Sequence, residues 1–190
     1  MWYHMGGFCT SFDANMNRKV QVSDTLAMRG QVAAQTRTVL EGFLYDVAVQ
    51  HMRLALRERR RRSRGGATNE EMKAATIAIV ASVTCLEAFA NAEGARHLSK
   101  GRTWKGRSLA KKWEDLYNSV KRQLPKRHLS NLQKRRHFIV HYKGEWSDAR
   151  FTLERQLLTG SASRTSVDTC RRILREYLLA LNAEIPDWLT

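Results

Sequence analysis

Proline is nearly missing from this chain, with two in 190 residues, Pro125 and Pro186, so long helical patterns run without a break. Cysteine is equally scarce. Cys9, Cys85 and Cys170 are odd in number and far apart, which excludes a disulfide framework or a four-cysteine zinc site. Cys85 and Cys170 fall within helical patterns as small core residues, and the expected compartment is the reducing cytoplasm. The first twenty residues lack a basic segment followed by an apolar run, so no secretory signal is expected. No stretch reaches the roughly 18 apolar residues of a membrane span, and no membrane partner is expected. Acidic residues are the other shortage, 18 against 33 lysines and arginines, leaving a net charge of +15. With so few carboxylates there is no cluster for a two-metal centre and no His-Glu-x-x-His helix, so neither a metal nor a cofactor is expected. A surface this basic attracts a polyanion, and RNA is the first candidate.

What remains is helix. Residues 1–23 mix Trp2, Tyr3, Phe8 and Phe12 with glycines and polar residues without a period, an irregular N-terminal arm preceding a domain over 24–190. From Asp24, the apolar stripe Val32, Leu40, Phe43, Val47, His51 and Leu54 predicts a first long helix to about Arg60, with His51 at the edge of the core. Thr68-Asn-Glu-Glu71 is a capping box opening a second helix, alanine-rich and apolar on more than one side, hence central and nearly all buried. Within it Glu87 is a carboxylate in an apolar run, facing solvent or a dimer groove, or pairing internally with an arginine. Residues 94–107 read as a basic, glycine-bearing loop around Trp104. Leu109, Trp113, Leu116 and Val120 mark a short amphipathic helix, and 145–164 read mostly as loop. Thr165-Ser-Val-Asp168 is expected to cap a last helix with the stripe Val167, Cys170, Leu174, Tyr177, Leu178, Leu181 and Ile185. No strand alternation or internal repeat appears. The expected fold is all-α, a four-helix up-and-down bundle with one extra short helix and the N-terminal arm.

The chemistry concentrates in Gln133-Lys-Arg-Arg-His-Phe-Ile-Val-His-Tyr-Lys-Gly144. Leu129 and Leu132 precede it at helical spacing, predicting a helix from about Ser130 to His141 whose apolar stripe continues onto Arg136 and Val140. A guanidinium on the apolar side needs a partner or a solvent pocket, because it cannot lose its charge. His137 and His141 share a face, whereas His141 stands about 140° around the helix from Arg136. Arginine holds a phosphate's charge and histidine moves its proton. His137 and His141 with Glu145 also match a zinc set, but Gly144 should break the helix between them. A second basic region is the run Arg57, Arg59, Arg60, Arg61, Arg62 and Arg64 before Gly65-Gly66. Cations at a helix C-terminus complement its dipole, but six within eight residues exceed that need and suit RNA contact. Trp104 among basic residues suits stacking on a base, or else lies tucked into the bundle.

The buried pattern Val83-Thr-Cys-Leu-Glu-Ala-Phe-Ala-Asn91, followed by Arg136-His-Phe-Ile-Val-His141, resembles the HEPN superfamily. Its members are four-helix bundles, many of them metal-independent ribonucleases that dimerise and join the arginine–histidine pairs of both subunits in one cleft. The resemblance implies an endoribonuclease leaving 2′,3′-cyclic phosphate and 5′-hydroxyl ends, with a toxin or a defence effector as the roles it suggests. It assigns Arg136, His137 and His141 to catalysis and Glu87 to holding Arg136. RNA, a second copy as homodimer, and an antitoxin or defence-system protein are the implied partners. In members modified by a nucleotidyltransferase antitoxin, a tyrosine lies two residues after the histidine. Here that position is Lys143, and Tyr142 directly follows His141. The competing reading is a helical module of this kind that binds RNA or protein without cleaving, and a third is a bundle in which Arg136 and Glu87 merely fix helix register.

Overall fold

A computed structural model describes residues 40–61, 66–97, 104, 106–141 and 158–190. They belong to one compact unit, Val39–Thr190. The expected arm, the start of the first helix, Arg62, Arg64, Tyr142 and Glu145 lie outside the described residues. Every regular element among the described residues is helical: α1 (40–61), α2 (Asn69–His97), α3 (Leu109–Ser119), α4 (Lys126–His141), α5 (Gly160–Ala180) and a short 3-10 turn, Asp187–Leu189.

Helix α2 is the centre, packed against α3, α4 and α5. It starts where the capping box places it, with the Glu71 amide donating to Thr68 Oγ1 at 3.0 Å. It runs to His97, so the first four residues of the expected 94–107 loop are helical instead. By length and composition α2 is apolar enough to cross a membrane, yet 61% of that apolar window is buried inside the protein, as in the core helix of a bundle. Phe89 stacks on Trp113 at 5.8 Å, and Tyr177 of α5 meets both rings edge-on at 6.0 and 5.8 Å, an aromatic centre joining three helices. Tyr117 donates its hydroxyl to the Ile173 carbonyl at 3.0 Å. Cys85 and Cys170 are both buried free thiols. Burial, and then the neighbouring Cys85 thiol, push the Cys170 pKa up.

The stripe of α5 is buried as its spacing requires, from Val167 to Leu178. Its beginning differs from expectation. Thr159 accepts from the Ala162 amide and the helix starts at Gly160, so Thr165 lies inside it and bonds back to the Ser161 carbonyl. Tertiary contact explains the longer helix. The Gly160 amide donates to the buried Glu71 carboxylate at 2.9 Å, and a Cβ on Gly160 would stand 2.9 Å from the Ala55 carbonyl oxygen. Only glycine lets α1 and α5 come this close.

Helix α1 departs most from its sequence pattern. Leu40, Phe43 and Leu54 are 52%, 61% and 42% exposed. The side facing the core carries Glu41, Gly42, Tyr45, Ala48 and Ala55. Trp188 lies over Gly42, 3.0 Å from where a Cβ would be, and Tyr45 receives a hydrogen bond from Arg171 at 2.8 Å. Gly42, Ala48 and Ala55 admit neighbours closely, and Leu44, Val47, Val49 and Met52 pack half-buried beside them.

Candidate nucleic-acid interface

Helix α4 opens directly after Pro125 and contains five lysines and arginines, three histidines and no carboxylate. Among the described residues, one of those cations has an ion pair. Lys126 pairs with Glu114 of α3 at 2.6 Å, and Lys111 reaches the same carboxylate at 3.0 Å. Lys126 first, then Lys111, hold the Glu114 pKa down at about 2. This clamp ties the first turn of α4 to α3, and Leu129 and Leu132, both buried, seat the middle.

Beyond Leu132 the inward line takes the residue before the expected one. Arg135 is half-buried and donates to the Ala162 carbonyl at 3.0 Å and to Ser166 Oγ at 3.2 Å, fastening α4 to the first turns of α5. Burial pulls its pKa below the usual arginine value, and it has no carboxylate partner among the described residues. Phe138 and Ile139 continue this line, packed against the core. The expectation that Arg136 and Val140 lie on the apolar side is therefore corrected, because both are exposed. A stripe stepping three residues from Leu129 to Leu132 steps three again to Arg135, and steps of three and four from Leu132 differ by a full residue's rotation. Glu87 does not hold Arg136. It is half-buried, and neither residue has an ion pair or side-chain hydrogen bond among the described residues.

His137 and His141 do come together. Their rings are 4.5 Å apart, centroid to centroid, and both side chains are exposed. Arg136 is exposed on the same last turns of α4, about 140° around the helix from His141. A groove of about 380 Å³ between α3 and α4, lined by Lys111, Lys126 and Ser130 among others, ends at Gln133, one turn before His137. No group of three or more histidine, cysteine, aspartate or glutamate side chains could hold a metal among the described residues.

The other basic candidates are divided. Arg57, Arg60 and Arg61 are exposed on the last turns of α1 and Arg59 is half-buried. Arg61 pairs with Glu58 at 3.0 Å, an exposed contact of small energetic weight. Trp104 is the tucked-in alternative. It is half-buried against the core, a Cβ on Gly94 would overlap its ring, and the Arg107 guanidinium lies 5.9 Å from its centroid.

Two residues escaped sequence reasoning. Arg135 was detectable as the middle member of the Leu132–Arg135–Phe138 line. Glu71 carried a complete local explanation in the capping box, which concealed its buried tertiary bond to Gly160. No known protein family, characterised protein or solved structure matches this chain.

Proposed function

We propose that this protein binds RNA along the basic face of α4 and cleaves it there as a metal-independent endoribonuclease of the HEPN kind. The observation that carries this proposal is the His137–His141 ring contact at 4.5 Å, beside Arg136 on a helix without a carboxylate. An RNA brings its own nucleophile. The 2′-hydroxyl oxygen attacks the adjacent phosphorus while a neutral imidazole takes its proton, and the bond to the 5′ oxygen breaks as an imidazolium protonates that leaving oxygen. The ends are a 2′,3′-cyclic phosphate and a 5′-hydroxyl. His141 serves as one proton carrier and His137 as the other, or as its orienting neighbour. Arg136 offsets the charge developing on the phosphorane. Arg135 positions α4 rather than touching the phosphate. Because Arg136 and His141 stand about 140° apart on the helix, a compact centre takes a second copy. In the same proposal α1, α2, α4 and α5 form an up-and-down bundle with α3 as the extra helix.

Binding without cleavage is favoured by a different observation, the exposure of Arg136 with no contact among the described residues to fix its guanidinium. One experiment separates the two. The whole chain is incubated in EDTA with a broad RNA panel including transfer RNA, and products are examined for cyclic phosphate. Cleavage is expected, and His141→Ala should reduce it about a hundredfold or more while circular dichroism stays unchanged. A folded His141→Ala that cleaves like the parent overturns the catalytic assignment. Retention of RNA without any cleavage leaves the binding module as the function.

A further inference from the structure

Leu40, Phe43 and Leu54 of α1 are turned away from the core, while Val47 between them is half-buried against it. Leu40, Val47 and Leu54 recur at seven-residue steps with Phe43 between the first two, and three of these four are exposed by 42% to 61%. A seven-residue repeat keeps one seam facing one partner along the helix, the geometry of helix pairs. The seam is flanked on one side by Asp46 and Arg53, themselves seven residues apart and both exposed. Asp46 receives only the neutral Gln50 amide at 2.6 Å, and neither Asp46 nor Arg53 has an ion-pair partner among the described residues.

We propose that α1 pairs antiparallel with α1 of a second copy of this chain. An antiparallel register that sets Phe43 against Leu54 of the second copy also sets Val47 against Gln50, and Leu40 against the aliphatic stem of Arg57. The same register brings Asp46 beside Arg53 of the other copy. The two-fold axis repeats that contact, so two ion pairs form from groups that are unpaired among the described residues. A parallel pair would lay the five arginines between Arg53 and Arg61 beside their own copies, and Glu58, the acid among them, is already held by Arg61 at 3.0 Å. Charge thus selects both the partner and its direction. This interface is on α1, not α4, and stands whether or not the chain cleaves RNA.

The test is sedimentation equilibrium of the whole chain at low salt, over roughly 1 to 100 μM, the range suited to a short helical seam. Concentration-dependent self-association through α1 is expected, giving a dimer of single chains, or a tetramer where α4 has already joined two copies. Asp46→Arg and Arg53→Asp should each raise the dissociation constant about tenfold or more, because each puts like charges together twice. The double variant Asp46→Arg/Arg53→Asp swaps the charges and should return to within a few-fold of the parent. Phe43→Ser should weaken the dimer irrespective of salt. These positions are exposed, so circular dichroism and melting temperature at low concentration should match the parent. A parent that stays monomeric throughout overturns the proposal and leaves residues 1–39 of the same chain to cover the stripe. Assembly indifferent to all these variants, whether a dimer or larger, joins by another face and overturns it too. Single reversals that weaken the dimer without rescue in the double variant overturn the antiparallel pairing.

Discussion

Helices α1 and α5 show equally clear apolar stripes in sequence and use them in opposite ways. Along α5 the stripe is the core, with Cys170, Leu174 and Tyr177 fully buried. Along α1 Leu40, Phe43 and Leu54 of the stripe are outside, Val47 and His51 are half-buried, and a second face with Gly42, Tyr45, Ala48 and Ala55 is buried. Periodicity identifies which side of a helix prefers to leave water, but the helix's neighbours decide which side they can approach. Gly42 and Ala55 let Trp188 and Gly160 reach backbone distance, which no arrangement over Phe43 permits. The cost is that large apolar side chains stay wet, each forgoing up to about 2 kcal/mol of burial until something covers them.

The sharpest way to test that contrast is to truncate a residue on each stripe. Leu174→Ala should lose about 2–5 kcal/mol in urea denaturation, the range for a fully buried leucine. A loss comparable to that of a surface position would mean the α5 stripe is not the core. At the junction of the two helices, Gly160→Ala should cost about 1–3 kcal/mol, since its methyl meets backbone rather than a yielding side chain. Phe43→Ala, the counterpart of Leu174→Ala, should change stability by less than about 0.5 kcal/mol at submicromolar concentration, where copies are apart. A large loss there would place Phe43 inside the fold.

The smallest effect sets apolar packing against charge. The α3–α4 contact through Glu114 is an exposed ionic clamp, and its carboxylate titrates at about 2 instead of the ordinary 4.5. A carboxylate with a lowered folded-state pKa contributes stability that is fully present above 4.5 and lost as pH falls towards 2. Glu114→Gln should therefore flatten the stability profile between those limits, and salt should do the same to the parent. Equal acid sensitivity in Glu114→Gln would show the clamp to be idle.

Much of the helical layout is legible in the residues. The all-α class, the cap at Thr68, the short α3 and the α5 stripe each follow from signals within a few residues of where they act. The misplaced features share a different cause. Thr159 and Thr165 both carry N-terminal chemistry, and Thr159 caps α5 because α1 and Glu71 hold Gly160 in place, contacts from about a hundred residues away in the chain. Arg135 and Arg136 are chemically identical neighbours, and the packing of α4 on α5 alone makes one a fastener and the other an exposed charge. Sequence found the basic, histidine-bearing helix, but the choice of arginine needed the neighbouring helix.

The Gly160 amide has one more use. It is buried, and its proton is held by the Glu71 carboxylate, with 89 residues of chain between them. Parting α2 from α5 breaks that bond, and the Ala55 carbonyl of α1 packs close against the same glycine. Exchange of that single amide with heavy water therefore reads the parting of α2 and α5, and its protection in native buffer measures the free energy of that opening without denaturant.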